Sequence, residues 1–294
     1  MIIVHAETAE KRGSSPHRPG GISFISLLKG EEGSPDNFEL ALLDIGPEYH
    51  APRHRHNFDQ IRVMLGGDFE WAPDRPQRQG TIGYFCEGTY YTQRGINQNL
   101  TLLLQCGGAS GEGYMSARQL ADGIAALTAR GGSFTDGVYT WIDADGKKHN
   151  RDAYQAVWEF NFKRTLVYPR PRFELPVIFD PAGMAGLTAG PGVTEKDMGR
   201  LNERGLAVKT LFCAQGAGVA LGNERHKTLL YVDSGNGSVA SHAYKSGSAI
   251  QLAAGEKIRL SVEENTQLYV FELPEFSRQA ASAAPQAPSR DQAA

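Results

Sequence analysis

Length, composition and charge exclude several classes of protein. The chain has 294 residues, 40% hydrophobic and 21% charged, which predicts a soluble globular protein with two domains. A formal net charge of -3 offers no basic surface for phosphates and argues against a nucleic-acid partner. The apolar runs are strand-sized rather than membrane-spanning, so no membrane partner is expected. Three widely spaced cysteines without a CxxC pair predict thiols in a reducing compartment, the cytoplasm.

The first third of the chain has the pattern of short β-strands separated by turns. Apolar and β-branched runs recur there at strand length, with Gly, Pro and Asp between them. The predicted strands cover residues 22–28, 38–45, 68–71, 80–85 and 99–106. Short strands at this spacing indicate an antiparallel sandwich or barrel.

The middle of the chain has a different pattern. Ser116 is placed to cap a helix with apolar residues at helical spacing, and a second helix is predicted over 151–162. Four prolines between 167 and 181 then require extended chain. Residues 111–200 are therefore predicted to be a connecting segment, part helical and part extended, that covers one barrel mouth or builds a dimer contact.

The last third returns to the β pattern and ends in a polar tail. The predicted strands cover residues 206–213, 228–233, 248–252, 257–262 and 267–273. After them the chain is rich in Ala, Ser, Gln and Pro with scattered charge, which cannot bury enough apolar surface to order itself. This composition predicts a disordered tail over 277–294.

Two histidines and a glutamine precede an apolar, β-branched run in the first third. Alternate side chains of a strand point to the same face, so His54, His56 and Gln60 are predicted to converge on one side. Asp59 has the opposite parity and is predicted to face solvent. Two imidazoles and an amide oxygen aimed at one point are a candidate metal-ligand set.

The spacing of these residues resembles a motif of the cupin superfamily. The first cupin motif reads roughly G-x5-HxH-x3/4-E-x6-G, and this chain has His54-x-His56-x3-Gln60-x6-Gly67, with Gln in place of Glu. An HxH pair alone is a weak signal, because exposed pairs on loops are common. The second motif is therefore needed to support the resemblance.

A second stretch resembles the second cupin motif, G-x5-PxG-x2-H. The chain has Gly80-x5-Cys86-x-Gly88-x2-Tyr91, with Cys in place of Pro and Tyr in place of the last His. The glycine spacing is kept, whereas two of the four usual metal ligands are replaced. The resemblance implies that Tyr91 occupies the fourth ligand position.

The last third repeats the pattern more faintly. Gly247-x5-Ala253-x-Gly255-x2-Ile258 has the glycine spacing of the second motif, and the ligand positions of this copy are Leu230 and Ile258. The resemblance implies a bicupin: an all-β fold of two cupin-type antiparallel barrels joined by a part-helical segment. The expected domains are an N-terminal barrel over 1–110 and, beyond the connecting segment, a C-terminal barrel over 201–276 without metal ligands.

The resemblance implies a metal site in the first barrel. The ligand positions are His54, His56, Gln60 and Tyr91, with Tyr91 also a candidate catalytic acid or base. The first three are neutral ligands, but a phenol with a reference pKa of about 10 can lose its proton beside a divalent cation. We expect a divalent transition metal, Fe(II) first, with Mn, Ni and Zn as alternatives. A decayed or metal-free pocket remains the competing interpretation.

The expected function is metal-dependent oxidation, with two alternatives. A metal with open positions suits dioxygenase-type chemistry on a small substrate that chelates through adjacent oxygens. The alternatives are a non-catalytic small-molecule-binding cupin and a redox-neutral metal-dependent isomerase or lyase. Arg62, Glu70 and Gln93 are candidates for contacts with a polar ligand at the barrel mouth. Exposed edge strands make a homodimer the expected assembly.

Overall fold

The structure, a computed structural model, describes residues 1–13 and 21–276. The tail predicted over 277–294 lies outside the described residues. The helices are α1 (Ala117–Ala129) and α2 (Ala153–Phe162), and Pro181–Gly183 forms a 3-10 turn. The strands are β1 (Ile2–His5), β2 (Glu10–Arg12), β3 (Ile22–Lys29), β4 (Phe38–Ile45), β5 (His50–His54), β6 (Phe58–Gly66), β7 (Phe69–Ala72), β8 (Arg75–Gln77), β9 (Ile82–Phe85), β10 (Tyr91–Gly95), β11 (Asn99–Gly107), β12 (Ser133–Thr135), β13 (Val138–Ile142), β14 (Lys148–Asp152), β15 (Val177–Phe179), β16 (Leu187–Gly190), β17 (Val193–Arg200), β18 (Ala207–Cys213), β19 (Gly218–Leu221), β20 (Thr228–Ser234), β21 (Asn236–Val239), β22 (His242–Lys245), β23 (Ser248–Leu252), β24 (Ile258–Val262) and β25 (Thr266–Glu272).

The strands form two equivalent barrels. The first has a seven-stranded sheet, β15-β9-β6-β11-β4-β3-β2, and a four-stranded sheet, β5-β10-β7-β8. The second has a seven-stranded sheet, β1-β23-β20-β25-β18-β17-β16, and a four-stranded sheet, β19-β24-β21-β22. Strand pairing is antiparallel within both, as in β11 with β4 and β18 with β25. The predicted all-β class with a part-helical connecting segment is confirmed.

The barrels exchange strands at equivalent edges. β1 pairs with β23 of the second barrel, with Ile3 opposite Ile250. β15 pairs with β9 of the first barrel, with Ile178 opposite Gly83. β16 and β17, although they fall within the segment 111–200, lie in the sheet of the second barrel. Each barrel is therefore completed by a strand from elsewhere in the chain.

The two seven-stranded sheets pack against each other through one face of each sheet. Along β6, side chains point alternately to this contact and to the interior of the first barrel. Ile61 and Val63 are fully buried in an apolar cluster that also contains Leu229 and Tyr231 of the second barrel. The intervening side chains of β6 point the other way, into the first barrel, where Arg62 lines a cavity. One period-two pattern thus separates the core between the barrels from the polar interior of the first barrel.

The interior of the second barrel is apolar. On β20 the inward-facing Leu230 and Val232 are fully buried in a cluster of aliphatic side chains, and Ile258 packs against its edge. Leu230 and Ile258 are the two ligand positions of the second motif copy. At these two positions the aliphatic side chains pack the barrel and offer no nitrogen, oxygen or sulfur atom to a metal.

The connecting segment packs on the first barrel. α1 begins with the predicted cap, since Ser116 and Gln119 form a reciprocal capping box. α2 and the sheet β12-β13-β14 share an apolar cluster with α1. The hydroxyl of Tyr154 on α2 donates to Asn57 Oδ1 of the barrel at 2.8 Å, and Leu120 of α1 lines its cavity. Neither helix formed by the described residues is long and apolar enough to cross a membrane.

Asp59 does not face solvent, contrary to the prediction from parity. It does point away from the barrel interior, but the second barrel covers that face and the side chain is fully buried. Its carboxyl accepts hydrogen bonds from the Tyr84 hydroxyl (2.9 Å), the Glu87 backbone N–H (2.8 Å) and the Asn202 amide (2.8 Å). Burial raises the pKa of Asp59 to about 7, although the three donors oppose this shift. Parity fixes the face of a strand but not what packs on it.

Candidate active site in the first barrel

The two histidines lie at a corner of the chain rather than on one continuous strand. β5 ends at His54 and β6 begins at Phe58, so His56 lies in the connection between them. Pro52 is tolerated within β5 because β5 lies at the edge of its sheet and, among the described strands, pairs with β10 alone, where the register shifts. The pairing sets His54 directly opposite Tyr91. The histidines therefore approach β6 because the chain turns between β5 and β6, and not because alternate side chains of one continuous strand share a face.

The structure brings all four predicted site residues together. The ring centroids of His54 and His56 are 5.0 Å apart, and those of His54 and Tyr91 are 4.6 Å apart. The Tyr91 hydroxyl donates to Gln60 Oε1 at 3.1 Å. Gln60 and Tyr91 are almost completely buried, whereas both histidines are partly exposed. Two imidazoles, an amide oxygen and a phenol thus surround one region of the barrel interior.

The hydrogen bond at the outer nitrogen of His54 fixes the orientation of its ring. Nδ1 lies 2.7 Å from the backbone carbonyl oxygen of Pro52, which can only accept, so Nδ1 carries the proton. In the neutral ring Nε2 then carries the lone pair, and this atom faces the Gln93 amide nitrogen at 3.4 Å. His54 therefore presents an acceptor or ligand nitrogen to the interior.

Gln93 joins the group of predicted site residues. It lies on β10 two positions after Tyr91, so both side chains point inward. Its Nε2 is 3.4 Å from the Tyr91 hydroxyl oxygen, and its Oε1 accepts a hydrogen bond from the Tyr49 hydroxyl at 3.0 Å. The sequence signal for this position was that Gln93 lies two residues after Tyr91 and therefore points to the same face of the strand. Glu70, the other candidate for contact with a polar ligand on a neighbouring strand, does not line the cavity and forms an ion pair with Arg94.

A cavity of about 130 Å³ inside the barrel is lined by His56 and Gln60, whereas the other two of the four residues, His54 and Tyr91, are not among its described lining residues. The barrel contributes most of its wall, and the connecting segment closes it with side chains that include Leu120 and Tyr154. Its polar lining consists of Arg12, Tyr49, His56, Gln60, Arg62, Gln93, Gln105, Tyr114 and Tyr154. The remaining lining is apolar. Convergent polar groups beside apolar side chains are a feature that this cavity shares with small-molecule sites.

The donor set differs from common metal sites. Within residues 1–13 and 21–276, no three His, Cys, Asp or Glu side chains come together as a group able to hold a metal ion. The candidate set has only two such residues, His54 and His56, and is completed by the amide of Gln60 and the phenol of Tyr91. The 3.1 Å between the oxygens of Gln60 and Tyr91 is the separation expected for neighbouring ligands of one ion with bonds of about 2.1 Å.

Solved structures of similar fold extend over almost the whole chain. A proposed dioxygenase from Nostoc punctiforme is 11% identical with a TM-score of 0.61, over 97% of this chain and 87% of that one. Oxalate decarboxylase from Bacillus subtilis is 12% identical with a TM-score of 0.57, over 94% and 78%. HEPD from Streptomyces albus, with 2-hydroxyethylphosphonate and Fe(II) bound, is 10% identical with a TM-score of 0.57, over 93% and 76%. No family model and no curated protein matches the sequence.

The class of protein follows from the fold. Two antiparallel barrels, each with a seven-stranded and a four-stranded sheet, and structural neighbours along nearly the full length define a two-barrel cupin architecture. The chain has the two-barrel cupin fold that the motif spacing predicted. Identities of 10% to 12% establish the fold alone, and a fold does not determine the activity.

Proposed function

We propose that the first barrel is the active site of a metal-dependent oxidoreductase with dioxygenase-type chemistry on a small molecule. The observation that carries the proposal is the orientation of His54, whose Nδ1 is held by the Pro52 carbonyl while Nε2 faces the interior. Histidines that ligate metals are usually held in this way, with the second ring nitrogen donating to a carbonyl or carboxylate. The proposed ligands are His54, His56, Gln60 and Tyr91.

The residues fit a divalent transition metal in donor type. Imidazole nitrogen suits Fe, Mn, Ni and Zn alike, and amide and phenol oxygens complete the set. His54, His56 and Gln60 are neutral ligands and offset none of the charge of the ion. Loss of the phenol proton would make Tyr91 the one anionic ligand. Fe(II) is the proposed metal, supported by the Fe(II) in the Streptomyces albus structure, and Mn(II) centres are described in the Bacillus subtilis enzyme.

When bound, such an ion supplies a centre at which a substrate with adjacent oxygens and O2 can meet. The protein supplies the surroundings. Phe85 packs on Tyr91 with ring centroids 4.8 Å apart, and the connecting segment closes the cavity with Leu120 and Tyr154. Exclusion of bulk water strengthens each polar contact inside. In the alternative role of acid or base, Tyr91 keeps its hydroxyl, which donates to Gln60 and is placed to hold or move a proton.

A non-catalytic binding cupin is the second candidate, and a specific observation favours it. The Gln93 amide nitrogen lies within 3.4 Å of both His54 Nε2 and the Tyr91 hydroxyl oxygen, so a hydrogen-bonded network links these groups in the absence of an ion. Such a network could recognise a polar ligand directly. A redox-neutral isomerase or lyase with Tyr91 as base is the third candidate.

Elemental analysis of protein purified without chelators separates the first two candidates. A metalloenzyme should take up about one equivalent of Fe, Mn, Ni or Zn, as its single site requires. Uptake below about a tenth of an equivalent with all four metals would overturn the proposal and leave the binding module. Oxygen consumption with small diols, diketones and hydroxy acids separates the oxidoreductase from the isomerase or lyase, since only the former consumes O2.

Tyr91→Phe should lower turnover more than stability. The substitution removes the hydroxyl that donates to Gln60 but keeps the ring that packs on Phe85. We expect turnover to fall by about 10² or more and the free energy of unfolding by about 1 kcal/mol. Steady-state kinetics and urea denaturation measure the two effects. Tyr90→Phe on the neighbouring, exposed position is the matched control. Unchanged turnover in the Tyr91→Phe variant would exclude a proton-transfer role.

We further propose that the protein acts in the cytoplasm as a homodimer. The three cysteines, Cys86, Cys106 and Cys213, are buried free thiols, as a reducing compartment allows. β16 is an edge strand of the second barrel, and Leu187 on it is 64% exposed, which supports pairing with a second copy. Sedimentation velocity tests the assembly, and a monomer at all concentrations would contradict it.

A further inference from the structure

We propose that Tyr154 of α2 is a positioning residue that holds His56 in place by acting through Asn57. This inference rests on the proposed function, because it takes His56 to be a metal ligand. Tyr154 belongs to the connecting segment, so the proposal gives this segment a role at the site of the first barrel.

The two histidines of the site are held by different parts of the chain. His54 is the last residue of β5, and its ring is fixed locally by the carbonyl oxygen of Pro52. His56 lies in residues 55–57, the β5–β6 loop, which belongs to neither strand. Its backbone carbonyl oxygen accepts a hydrogen bond from the Gly88 N–H at 2.8 Å, which holds the loop on one side. A second constraint on His56 comes from the residue that follows it.

That residue, Asn57, ties the β5–β6 loop to the connecting segment. Asn57 is completely buried, and both ends of its amide are hydrogen-bonded to residues of that segment. Oδ1 accepts from the Tyr154 hydroxyl at 2.8 Å, and Nδ2 donates to the carbonyl oxygen of Gly113 at 3.2 Å. Burial makes each unmade hydrogen bond costly, so the amide is held in the one orientation that satisfies both partners. The backbone next to His56 is thereby held as well.

Tyr154 can hold Asn57 because α2 is itself anchored. Tyr154 lies in the first turn of the helix, which Asp152 caps by accepting from the Gln155 backbone N–H at 2.9 Å. One turn further along, Trp158 is fully buried in the apolar cluster shared with α1, and Tyr154 packs against the same cluster. The hydroxyl therefore extends to the β5–β6 loop from a helix that is fixed at two points.

The ring of Tyr154 also lies beside the imidazole of His56. The two ring centroids are 6.3 Å apart with an interplanar angle of 87°, so the edge of one ring faces the plane of the other. On another side, the ring of Phe58 lies 4.5 Å from the imidazole, centroid to centroid. Substitution of Tyr154 by phenylalanine removes the hydrogen bond to Asn57 and keeps this ring contact, so it isolates the effect of the hydroxyl.

The affinity for Mn(II), measured by equilibrium dialysis, is the first test. We expect Tyr154→Phe to raise the Kd by about tenfold, since loss of a group that orients a metal ligand typically weakens binding by about 10 to 100-fold. Asn57→Ala should raise the Kd by a similar factor. The double variant should raise it no further than the larger single effect, because the two residues act in one chain of contacts and their effects are not additive.

Amide exchange in chelator-treated protein is the second test, and it requires no metal. The Gly88 N–H donates to the carbonyl oxygen of His56, so its exchange rate, measured by NMR, reports how often the β5–β6 loop opens. We expect this rate to rise by about tenfold in Tyr154→Phe, while amides of β11 keep the rate of the wild type. A general loss of stability would instead speed exchange at both places.

Tyr139→Phe is the matched control for both tests. Tyr139 is a buried tyrosine of the same apolar cluster, and its ring stacks on Trp141 with centroids 5.3 Å apart. Its hydroxyl is therefore removed from the connecting segment without touching the contact between Tyr154 and Asn57. The Kd for Mn(II) and the exchange rate of the Gly88 N–H should both stay at the values of the wild type.

Each outcome decides for or against the inference. An unchanged Kd in folded Tyr154→Phe, an unchanged exchange rate at Gly88, or an equal increase at Gly88 and in β11 would overturn it. If one of the two single variants does not fold, the other decides. A wild type that takes up no metal would refute the proposed function, and the exchange rate at Gly88 alone would then decide whether Tyr154 holds His56.

Discussion

Replacement of both His54 and His56 by alanine is expected to abolish metal uptake. Removing two imidazoles leaves only the Gln60 amide and the Tyr91 phenol, and neither is a strong ligand for a divalent transition metal. Loss of a supporting partner alone typically weakens metal binding by about 10 to 100-fold, so loss of two direct ligands should reduce occupancy below about a tenth of an equivalent. Elemental analysis after incubation with Fe(II) or Mn(II) and gel filtration measures the effect.

The double substitution should leave the fold intact. Both histidines are partly exposed, and neither belongs to the apolar clusters of the barrel. Circular dichroism and the melting temperature should therefore stay close to those of the wild type. His50→Ala is the matched control, because His50 is an exposed histidine on the same strand, β5. Full metal content in the double variant would show that the ligands lie elsewhere.

The motif spacing predicted the barrels because it records backbone geometry. Gly67 has a φ of 67°, and a Cβ there would lie 2.3 Å from the carbonyl oxygen of Gln98. Gly88 has a φ of 80°, and its Cβ would lie 2.2 Å from the carbonyl oxygen of Pro169. Only glycine satisfies both the positive φ and the close approach. Such positions stay recognisable even where the residues at the ligand positions have changed.

The local course of the chain and its long-range packing could not be predicted from the sequence. The break between β5 and β6, which places His56 in a loop, depends on pairing of His54 with Tyr91 from 37 residues further along the chain. Pairing of β1 with β23, which sets Ile3 opposite Ile250, likewise joins residues far apart in the chain. Closure of the cavity by Leu120 and Tyr154 likewise depends on how helices dock on a barrel. Periodicity within one segment carries no information about its distant partner.

Asp59→Ala is expected to cause the largest loss of stability among single substitutions near the site. The carboxyl of Asp59 accepts hydrogen bonds from Tyr84, the Glu87 backbone and Asn202, and all three donors are buried. Removing the acceptor leaves them unsatisfied, at about 1 to 3 kcal/mol for each buried group. We expect the free energy of unfolding, measured by urea denaturation, to fall by about 3 kcal/mol or more.

Part of the loss should fall on the contact between the barrels, because Asn202 belongs to the second barrel, whereas Asp59, Tyr84 and Glu87 belong to the first. Asn202 cannot turn its amide to compensate, since its Oδ1 already accepts hydrogen bonds from the backbone N–H groups of Arg204 and Leu206. Asp59→Asn should therefore cause an intermediate loss in the free energy of unfolding. The new side chain keeps an oxygen that accepts from the Glu87 N–H, but its amide nitrogen would face the amide nitrogen of Asn202. Asp44→Ala on the exposed side of β4 is the control and should change stability by less than about 0.5 kcal/mol. A loss in Asp59→Ala no larger than in this control would mean that the three hydrogen bonds to Asp59 do not stabilise the protein.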